Sequence, residues 1–305
     1  MIKIFGHSGP DTDATCSALI WEWYLTEARG KKARAYVQEP PNSEAMFVLK
    51  RWGVALPDTL GPLSADDEVV IVDTNNPGEL PANINDTNIA EVIDHHQLAG
   101  GLKTRGPMKF TIRPVAATAT VMHWLIGRDM ADMPDAIKGL MLSCILSDTL
   151  EFRSPTTTPT DKKIAVALAK DLGLSIPDYA AEMFAAKSDV SSFTDLELLK
   201  MDSKIFDVDG TKLRVSVLET TAPNIVLARK AALMAAMPGL AASEGVEQVL
   251  LFVIDILNEE ATLLIPNDKI RTIAAASFGS ETAGDFVVLP GVMSRKKQII
   301  PNLKV

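Results

Sequence analysis

Residues 1–28, MIKIFGHSGPDTDATCSALIWEWYLTEA, combine a short apolar run, a polar loop and an amphipathic stretch. The apolar run at residues 2–5 predicts a buried strand, and residues 14–28 predict a helix because their apolar positions recur at helical spacing. Between them, residues 6–13 place one imidazole and two carboxylates in the connection from strand to helix. Ligands of open α/β sheets bind beyond the carboxyl ends of strands, so this loop is a candidate binding site.

The alternation of apolar runs and helical patterns continues through the first half of the chain. Further buried strands are predicted at residues 69–72 and 90–93. Helices are predicted at residues 43–52, 117–126, 135–146 and 160–172, the last with Thr160 as its N-cap. Strands that alternate with helices typically form a mostly parallel sheet with helices on both faces. The predicted fold class of this half is therefore α/β.

The length of the chain, 305 residues, predicts two domains, because one hydrophobic core rarely organises so many residues. A polar stretch at residues 188–195 predicts a linker between an N-terminal domain, residues 1–187, and a C-terminal domain, residues 196–305. The second domain is predicted as smaller and mixed α/β. Its predicted elements are a helix, a strand at 212–218, a long helix at 225–237, strands at 249–256 and 261–265, a helix and two final strands.

Charge and composition exclude several classes of function. The formal net charge of −9 argues against a nucleic-acid-binding protein, because that affinity comes mainly from Lys and Arg that neutralise phosphates. No apolar run is long enough to cross a bilayer, and the first residues lack the pattern of a signal peptide. Cys16 and Cys144 lie among apolar neighbours, which predicts buried free thiols. We therefore expect a soluble, cytoplasmic protein that binds neither nucleic acid nor membrane.

Imidazole and carboxylate side chains are concentrated where the predicted strands of the first domain end. Residues 73–76 (DTNN) and 94–96 (DHH) follow the second and third predicted strands, and Asp148 lies one turn beyond Cys144 at a helix end. With residues 6–13, this set contains three of the four histidines of the chain. Taken singly, the aspartates are typical of helix caps and turns.

Taken together, these side chains predict a metal centre. Several carboxylates at one edge of a sheet would repel one another strongly without cations. Oxygen ligands with some imidazole and no thiolate favour Mn²⁺, Mg²⁺ or Co²⁺ over structural zinc. The ligands suffice for two ions, and a pair of ions needs a bridging carboxylate. Asp73, at the end of a central strand, is the predicted bridge.

Four motifs of the first domain resemble, in order and spacing, those of the DHH phosphoesterase superfamily: GHSGPDTD (6–13), VDTN (72–75), DHH (94–96) and SDT (147–149). The basic segment SRKKQ (294–298) resembles that of the family II, manganese-dependent inorganic pyrophosphatases, and this resemblance covers essentially the whole chain. The glycine-rich GGGH segment of relatives that cut nucleic acids is absent from the sequence. The resemblance implies a hydrolase of inorganic pyrophosphate, acting on a phosphoric anhydride bond.

The resemblance also implies the roles of individual residues. One metal ion is assigned to His7, Asp11 and Asp73, and the other to Asp13, Asp73, His95 and Asp148. Substrate binding is assigned to His96, Lys204, Arg295 and Lys296, and catalytic roles to Asp13, Asp73, His96 and Arg295. The implied cofactors are two Mn²⁺ or Co²⁺ ions per subunit, with an additional Mg²⁺ carried by the substrate. A water or hydroxide bridging the metals would attack phosphorus in a cleft between the two domains of a homodimer subunit.

Two residues of the first domain depart from the family pattern. Thr74 stands where many relatives have His, and Gly9 stands where Asn is frequent; both positions bear on metal preference through hydrogen bonds to the ligands.

Three alternative interpretations accompany the prediction of a pyrophosphatase. One is another DHH phosphoesterase, acting on short polyphosphate or small nucleotides. Another alternative is a metal-binding or regulatory module without catalysis. For SRKKQ alone, a solvated basic edge strand is the alternative.

Overall fold

Parallel pairing joins all six strands of the first sheet. The computed structural model describes residues 1–280 and 283–305, and the chain divides into two units, Met1–Lys187 and Ser188–Val305. The strands of the first unit are β1 (Ile2–Phe5), β2 (Ala33–Val37), β3 (Asp58–Thr59), β4 (Glu68–Val72), β5 (Asn88–Asp94) and β6 (Lys109–Ile112). Their order is β3-β2-β1-β4-β5-β6, which confirms the predicted parallel sheet.

Six α-helices connect these strands or follow them: α1 (Thr12–Trp23), α2 (Ser43–Trp52), α3 (Thr118–Ile126), α4 (Asp135–Asp148), α5 (Pro159–Leu172) and α6 (Ile176–Lys187). A wider π-helical turn, Tyr24–Ala28, extends α1 to the predicted end. The predicted N-cap of α5 is wrong. Thr158, not Thr160, caps α5 through a reciprocal capping box with Asp161, because Pro159 suits the first helical position.

The strand order of the first sheet reverses between β1 and β4. Such a switch point opens a crevice beyond the carboxyl ends of the strands. Phe5 pairs with Ile71, and Val72 pairs with Ile93, so β1, β4 and β5 end side by side. The loops that follow these three strands therefore begin next to one another.

The second unit contains a five-stranded mixed sheet. Its strands are β7 (Ser203–Val208), β8 (Thr211–Thr220), β9 (Gln248–Asp255), β10 (Glu260–Leu264) and β11 (Phe286–Pro290), in the order β11-β10-β9-β8-β7. Only the pair β8 and β9 is parallel; the other pairs of described strands are antiparallel. The described α-helices are α7 (Asp195–Lys200), α8 (Pro223–Leu227), α9 (Lys230–Glu244), α10 (Asp268–Phe278) and the short α11 (Ile300–Asn302).

The central strand β9 is buried on both faces. Leu250, Phe252 and Ile254 belong to one apolar cluster, whereas Val249 and Leu251 belong to another. Successive side chains of a strand point to opposite faces, so the continuous apolar run of β9 supplies a core on each side of the sheet. This explains why sequence reasoning located β9 readily.

Two predictions for the second unit are wrong. The helix predicted at residues 225–237 is two helices, and α9 continues through Pro238 to Glu244. Only one strand, β11, follows α10 in the described residues; SRKKQ instead begins a helical turn at Arg295–Ile299. Ser294 caps this turn by accepting from the backbone N–H of Lys297. The SRKKQ segment is therefore not an edge strand.

No helix in the described ranges is both long and apolar enough to cross a membrane. Cys16 and Cys144 are free and buried, as predicted.

Candidate active site

The loop after β1 depends on a glycine at residue 6. A Cβ atom on Gly6 would lie 2.8 Å from Cβ of Ala14 and 3.2 Å from the carbonyl oxygen of Val72. Such close approach leaves room only for glycine, because it has no Cβ. The loop can therefore run between α1 and the end of β4, which brings the next residue, His7, beside Asp73.

Asp11 and Asp13 are held at the start of α1. Asp11 is the N-cap, since its Oδ1 accepts a hydrogen bond from the backbone N–H of Ala14 at 3.0 Å. The same oxygen lies 3.7 Å from Nε2 of His7. Asp13 is completely buried in the first turn and accepts a hydrogen bond from the hydroxyl of Ser17 at 2.9 Å. Asp11 is therefore a helix cap and also lies among the candidate ligands.

Asp73 occupies the centre of the site in an uncommon backbone conformation. Its φ is +60°, a left-handed value that non-glycine residues rarely adopt, although Asp tolerates it better than most. Its Oδ2 lies 3.6 Å from Nε2 of His7, and its Oδ1 lies 3.3 Å from Nε2 of His95. Backbone strain of this kind is concentrated at functional sites. The two oxygens of one buried carboxylate thus face two different histidines.

The rings of His7 and His95 are oriented by backbone carbonyls. Nδ1 of His7 is 2.8 Å from the carbonyl oxygen of Ser8, and Nδ1 of His95 is 3.1 Å from that of Val115. A ring that donates its Nδ1–H in this way leaves Nε2 for a metal ion, and most metal-binding histidines have such a partner. Both Nε2 atoms face Asp73.

Three groups of side chains are close enough together to bind a metal ion. In each group the ligand atoms lie within 4.8 Å of one another: His7, Asp11 and Asp73; Asp13, His95 and Asp148; Asp73, His95 and His96. The structure therefore brings together all six residues predicted as metal ligands, and His96 with them. Asp73 and His95 each belong to two groups, so the groups adjoin.

His96 differs from the other two histidines in its hydrogen bonding. Its Nδ1 lies 2.9 Å from Oδ1 of Asp94, and its side chain is 52 % exposed. Asp94 also accepts hydrogen bonds from the backbone N–H groups of His95 and His96 and from the amide of Asn75. Asp94 therefore fixes the loop that carries both histidines, and it leaves Nε2 of His96 available.

The carboxylates around His7 and His95 control the charge of both rings. Burial lowers the pKa of His7, but Asp11 and Asp73 outweigh burial and raise the pKa to about 11. The pKa of His95 likewise rises to about 9, because Asp73 and Asp13 outweigh its burial. Without metal ions, these imidazoles are therefore cations that offset part of the carboxylate charge.

The net shift in pKa differs among three carboxylates of the site, although burial favours the neutral form of each. Burial and the charge of Asp73 raise the pKa of Asp13 to about 7. Burial, with the charges of Asp13 and Asp73, also raises the pKa of Asp148 well above its ordinary value. Burial would raise the pKa of Asp73 too, but His7 and His95 lower it below the ordinary value. The site thus holds more carboxylates than its own cations can neutralise.

Thr118, at the start of α3, is a residue that sequence reasoning missed. Its hydroxyl donates to Oδ1 of Asp73 at 2.9 Å, and its backbone N–H donates to Oδ2 of Asp13 at 2.5 Å. The backbone N–H of Ala119 donates to Oδ1 of Asp13 at 3.3 Å. The first turn of α3 therefore orients two of the predicted ligands. A threonine or backbone N–H carries no sequence signal for such a role.

A cavity of about 400 Å³ opens beside the histidines, and its lining includes His7, Thr74, Asn75, Glu79 and His96. The hydroxyl of Thr74 donates to the carboxylate of Glu79 at 2.6 Å, so the residue that departs from the family pattern forms part of the cavity wall. Gly9, the other departure, also lines the cavity and has φ +63°.

The predicted phosphate-binding cations all lie in the second unit. Lys204 is an exposed residue of β7, and Lys296 lies in the turn Arg295–Ile299. The guanidinium of Arg295 contacts Asp202, with Nη2 at 2.7 Å from Oδ1 and Nη1 at 2.8 Å from the carbonyl oxygen.

Comparisons with known proteins identify the family. Residues 1–147 match the model of the DHH family, N-terminal domain, and residues 181–305 match the DHHA2 domain. A probable manganese-dependent inorganic pyrophosphatase of Deinococcus radiodurans is 38 % identical over all of this chain and 98 % of its own length. The chain belongs to the manganese-dependent inorganic pyrophosphatases.

Other members of the manganese-dependent inorganic pyrophosphatase family extend this similarity. A relative from Shouchella clausii, also named a probable manganese-dependent inorganic pyrophosphatase, is 35 % identical over 98 % of this chain and 96 % of its own length. Among solved structures, a Methanococcus jannaschii protein assigned to the family II inorganic pyrophosphatases superposes with a TM-score of 0.62 at 31 % identity. That superposition covers 99 % of this chain and 98 % of the other.

The donor atoms of the site fit the metal in the family name. Carboxylate oxygens and imidazole nitrogens make up all three groups, and no thiolate belongs to any of them. Hard oxygen ligands with imidazole suit Mn²⁺, and the carbonyl partners of His7 and His95 orient their rings as metal binding requires. The residues of this chain are therefore suited to hold manganese.

Proposed function

We propose that the protein hydrolyses inorganic pyrophosphate to two phosphates with two manganese ions bound per subunit. The observation that carries this proposal is the position of Asp73, whose two carboxylate oxygens face His7 and His95 separately. A carboxylate that faces two ligand groups can bridge two metal ions, as two-metal hydrolases require. Family membership supports pyrophosphate as the substrate.

In this proposal, His7, Asp11 and Asp73 hold one ion, and Asp13, Asp73, His95 and Asp148 hold the other. When bound, the ions neutralise phosphoryl oxygens and lower the pKa of water toward neutrality. Co²⁺ is the other ion suited to these ligands, and an additional Mg²⁺ enters with the substrate. The hydrogen bonds of Thr118, Ala119 and Ser17 keep both oxygens of Asp13 in place before any ligand binds.

His96 is proposed to contact the substrate rather than a metal ion. The hydrogen bond to Asp94 is the main cause that raises the pKa of His96, so the ring tends to carry a proton. With Nδ1 held by Asp94, a proton on Nε2 can be donated to a phosphoryl oxygen in the cavity. A positioned donor of this kind stabilises charge that develops as the anhydride bond breaks.

Lys204, Arg295 and Lys296 are proposed to neutralise the remaining negative charge of the phosphate groups. Phosphoryl transfer depends mainly on positioning and on neutralising the oxygens, and Arg can grip two phosphate oxygens at once. Among the described residues, neither Lys204 nor Lys296 forms an ion pair, so both ammonium groups can bind phosphate.

We further propose that the protein is a cytoplasmic homodimer. The free, buried cysteines suit a reducing compartment. β6 is an edge strand of the first sheet, and Phe110 on it and Trp124 on α3 are 41 % and 58 % exposed. An edge strand with exposed aromatic residues suits a symmetric contact with a second copy. Sedimentation of wild type and of a Phe110→Glu variant tests this part.

Phosphate release from pyrophosphate, tripolyphosphate and a short oligonucleotide, each with Mn²⁺, tests the main proposal. We expect turnover on pyrophosphate to exceed that on the other two by at least tenfold. Preference for tripolyphosphate or the oligonucleotide would favour a different DHH phosphoesterase. Manganese binding without turnover on any substrate would favour a binding module.

A further inference from the structure

Asp202 is a carboxylate among cations that the proposed function assigns to an anionic substrate. It directly precedes β7 and pairs with Arg295 through its side chain at 2.7 Å. A carboxylate in a phosphate site repels the substrate, so its presence requires a physical reason. Two reasons are available: Asp202 competes with phosphate for Arg295, or it positions Arg295 for phosphate.

The contacts of Asp202 favour positioning. Its carbonyl oxygen accepts from the backbone N–H of Val217 in β8 at 2.9 Å, and from Nη1 of Arg295 at 2.8 Å. The sheet therefore fixes the acceptor that receives the guanidinium. If Asp202 only competed with phosphate, a contact between its carboxylate and Arg295 would suffice. Instead, both terminal nitrogens of the guanidinium contact Asp202, and one of them bonds to a backbone carbonyl that β8 holds in place.

The guanidinium keeps enough donors for phosphate while Asp202 holds it. Arginine has five N–H donors, and Asp202 occupies two of them. In the described ranges, no acceptor bonds to Nε of Arg295, so Nε and the remaining hydrogens of the terminal nitrogens can make a bidentate grip. The Arg295 side chain is already 83 % covered, so little of its freedom remains to be lost when phosphate binds.

Asp202 also holds Arg295 near a second cation. Asp202 lies in the turn directly before β7, two residues from Lys204, and its hydrogen bond from Val217 ties this turn to β8. The contact with Asp202 therefore holds Arg295 at the end of β7 that carries Lys204. We propose that Asp202 is a positioning residue that sets Arg295 next to Lys204 for binding of one phosphate group.

This inference rests on the proposed function, since it concerns the site for the same substrate. The test compares Asp202→Ala and Asp202→Asn in the manganese-loaded full chain, with steady-state kinetics on pyrophosphate and calorimetric binding of imidodiphosphate. Asp209→Asn is the matched control, because it removes one negative charge at the β7–β8 turn and Asn tolerates its φ of +50°.

We expect Asp202→Ala to lower kcat/KM by about 10- to 100-fold, the usual cost of misplacing a substrate-positioning group. The decrease in kcat/KM should be smaller for Asp202→Asn, because the amide oxygen can still accept a hydrogen bond from Arg295. In an Arg295→Ala background, Asp202→Ala should have little further effect, and manganese content should be unchanged. The control should retain wild-type kinetics.

Three results would overturn the inference. A lower KM or tighter imidodiphosphate binding in Asp202→Ala would show that Asp202 competes with phosphate. An undiminished effect of Asp202→Ala in the Arg295→Ala background would show that Asp202 acts independently of Arg295. A decrease in kcat/KM for Asp209→Asn equal to that for Asp202→Ala would show a nonspecific effect of charge. Because imidodiphosphate binding needs no turnover, it reports on Asp202 even if wild type fails to hydrolyse pyrophosphate, which would contradict the proposed function alone.

Discussion

The hydroxyl of Thr118 donates to Oδ1 of Asp73 at 2.9 Å, and this is the oxygen that lies 3.3 Å from Nε2 of His95. Thr118 is completely buried, so the hydrogen bond is shielded from water. The same residue binds Asp13 through its backbone N–H. Thr118 thus links two carboxylates that are proposed to hold the same metal ion.

Replacing Thr118 by Val should weaken manganese binding while the fold is retained. Val keeps the shape but cannot orient Asp73, and loss of such a partner typically costs about 10- to 100-fold in metal affinity. Thr118→Ser should restore most of the affinity, because the hydroxyl is kept. Calorimetric titration with Mn²⁺ measures the change. Equal affinity in wild type and Thr118→Val would show that the hydrogen bond does not orient the ligand.

Asp73→Ala should abolish pyrophosphate turnover and remove bound manganese together, because Asp73 faces both ligand groups. The metal content of the purified protein and its rate of phosphate release measure both effects. Asp135→Ala is the control, since it removes a 79 % exposed carboxylate of the same unit. Full metal retention with normal turnover in Asp73→Ala would refute the bridging role.

Manganese binding should release protons and strengthen as pH rises. His7 and His95, with pKa values of about 11 and 9 in the metal-free chain, are protonated at pH 7.5, whereas a metal needs neutral imidazole. At pH 7.5, at least about two protons should therefore leave per pair of ions bound. Calorimetry in two buffers of different ionisation enthalpy counts them. The test interval is roughly pH 7 to 9, which lies below the pKa of His95. A manganese affinity that does not change with pH in this interval would contradict the prediction.

The central strands and the ligands could be predicted because both follow local rules. β1, β4 and β5 are apolar runs, and the carboxylates and histidines come directly after them. Parallel strands end at the same edge of a sheet, so residues far apart in sequence could be expected to meet. The elements that were missed include the edge strands β6 and β7, whose partly exposed side chains give no clear apolar pattern.

Other features depend on contacts that no local pattern records. The backbone N–H of Thr118 donates a hydrogen bond to Asp13, which lies 105 positions earlier in the sequence. The break between α8 and α9 occurs at Arg229, whose guanidinium binds Asp195 and the carbonyls of Val190 and Phe193. This tertiary anchor overrides the helical pattern that predicted one continuous helix.

His96→Gln should lower turnover while both manganese ions remain bound. Gln can accept and donate hydrogen bonds, but it cannot carry the positive charge that Asp94 favours on His96. We expect a decrease in kcat of about 10²- to 10⁴-fold, the range for losing a general acid. Phosphate release and metal content are measured on the same sample. Loss of one ion would move His96 into the ligand set, in agreement with its proximity to Asp73 and His95.

Arg295→Lys should be damaging although it conserves the charge. Arg295 uses separate nitrogens for the side chain and the carbonyl of Asp202, and it has further donors for phosphate. A lysine ammonium is a single point of charge and cannot span these acceptors with a fixed geometry. A contact that strengthens in the transition state should lower kcat as well as kcat/KM.

Lys297→Arg is the matched control for Arg295→Lys, because it makes the reverse exchange within the same helical turn. Manganese affinity should be unchanged in both variants, since the three ligand groups found among the described residues all lie in the first unit. Kinetics on pyrophosphate and titration with Mn²⁺ are compared for the two proteins. Wild-type activity in Arg295→Lys would mean that the arginine supplies only charge. The assignment of SRKKQ to the substrate would then rest on charge alone, and the geometric argument for Arg295 would be wrong.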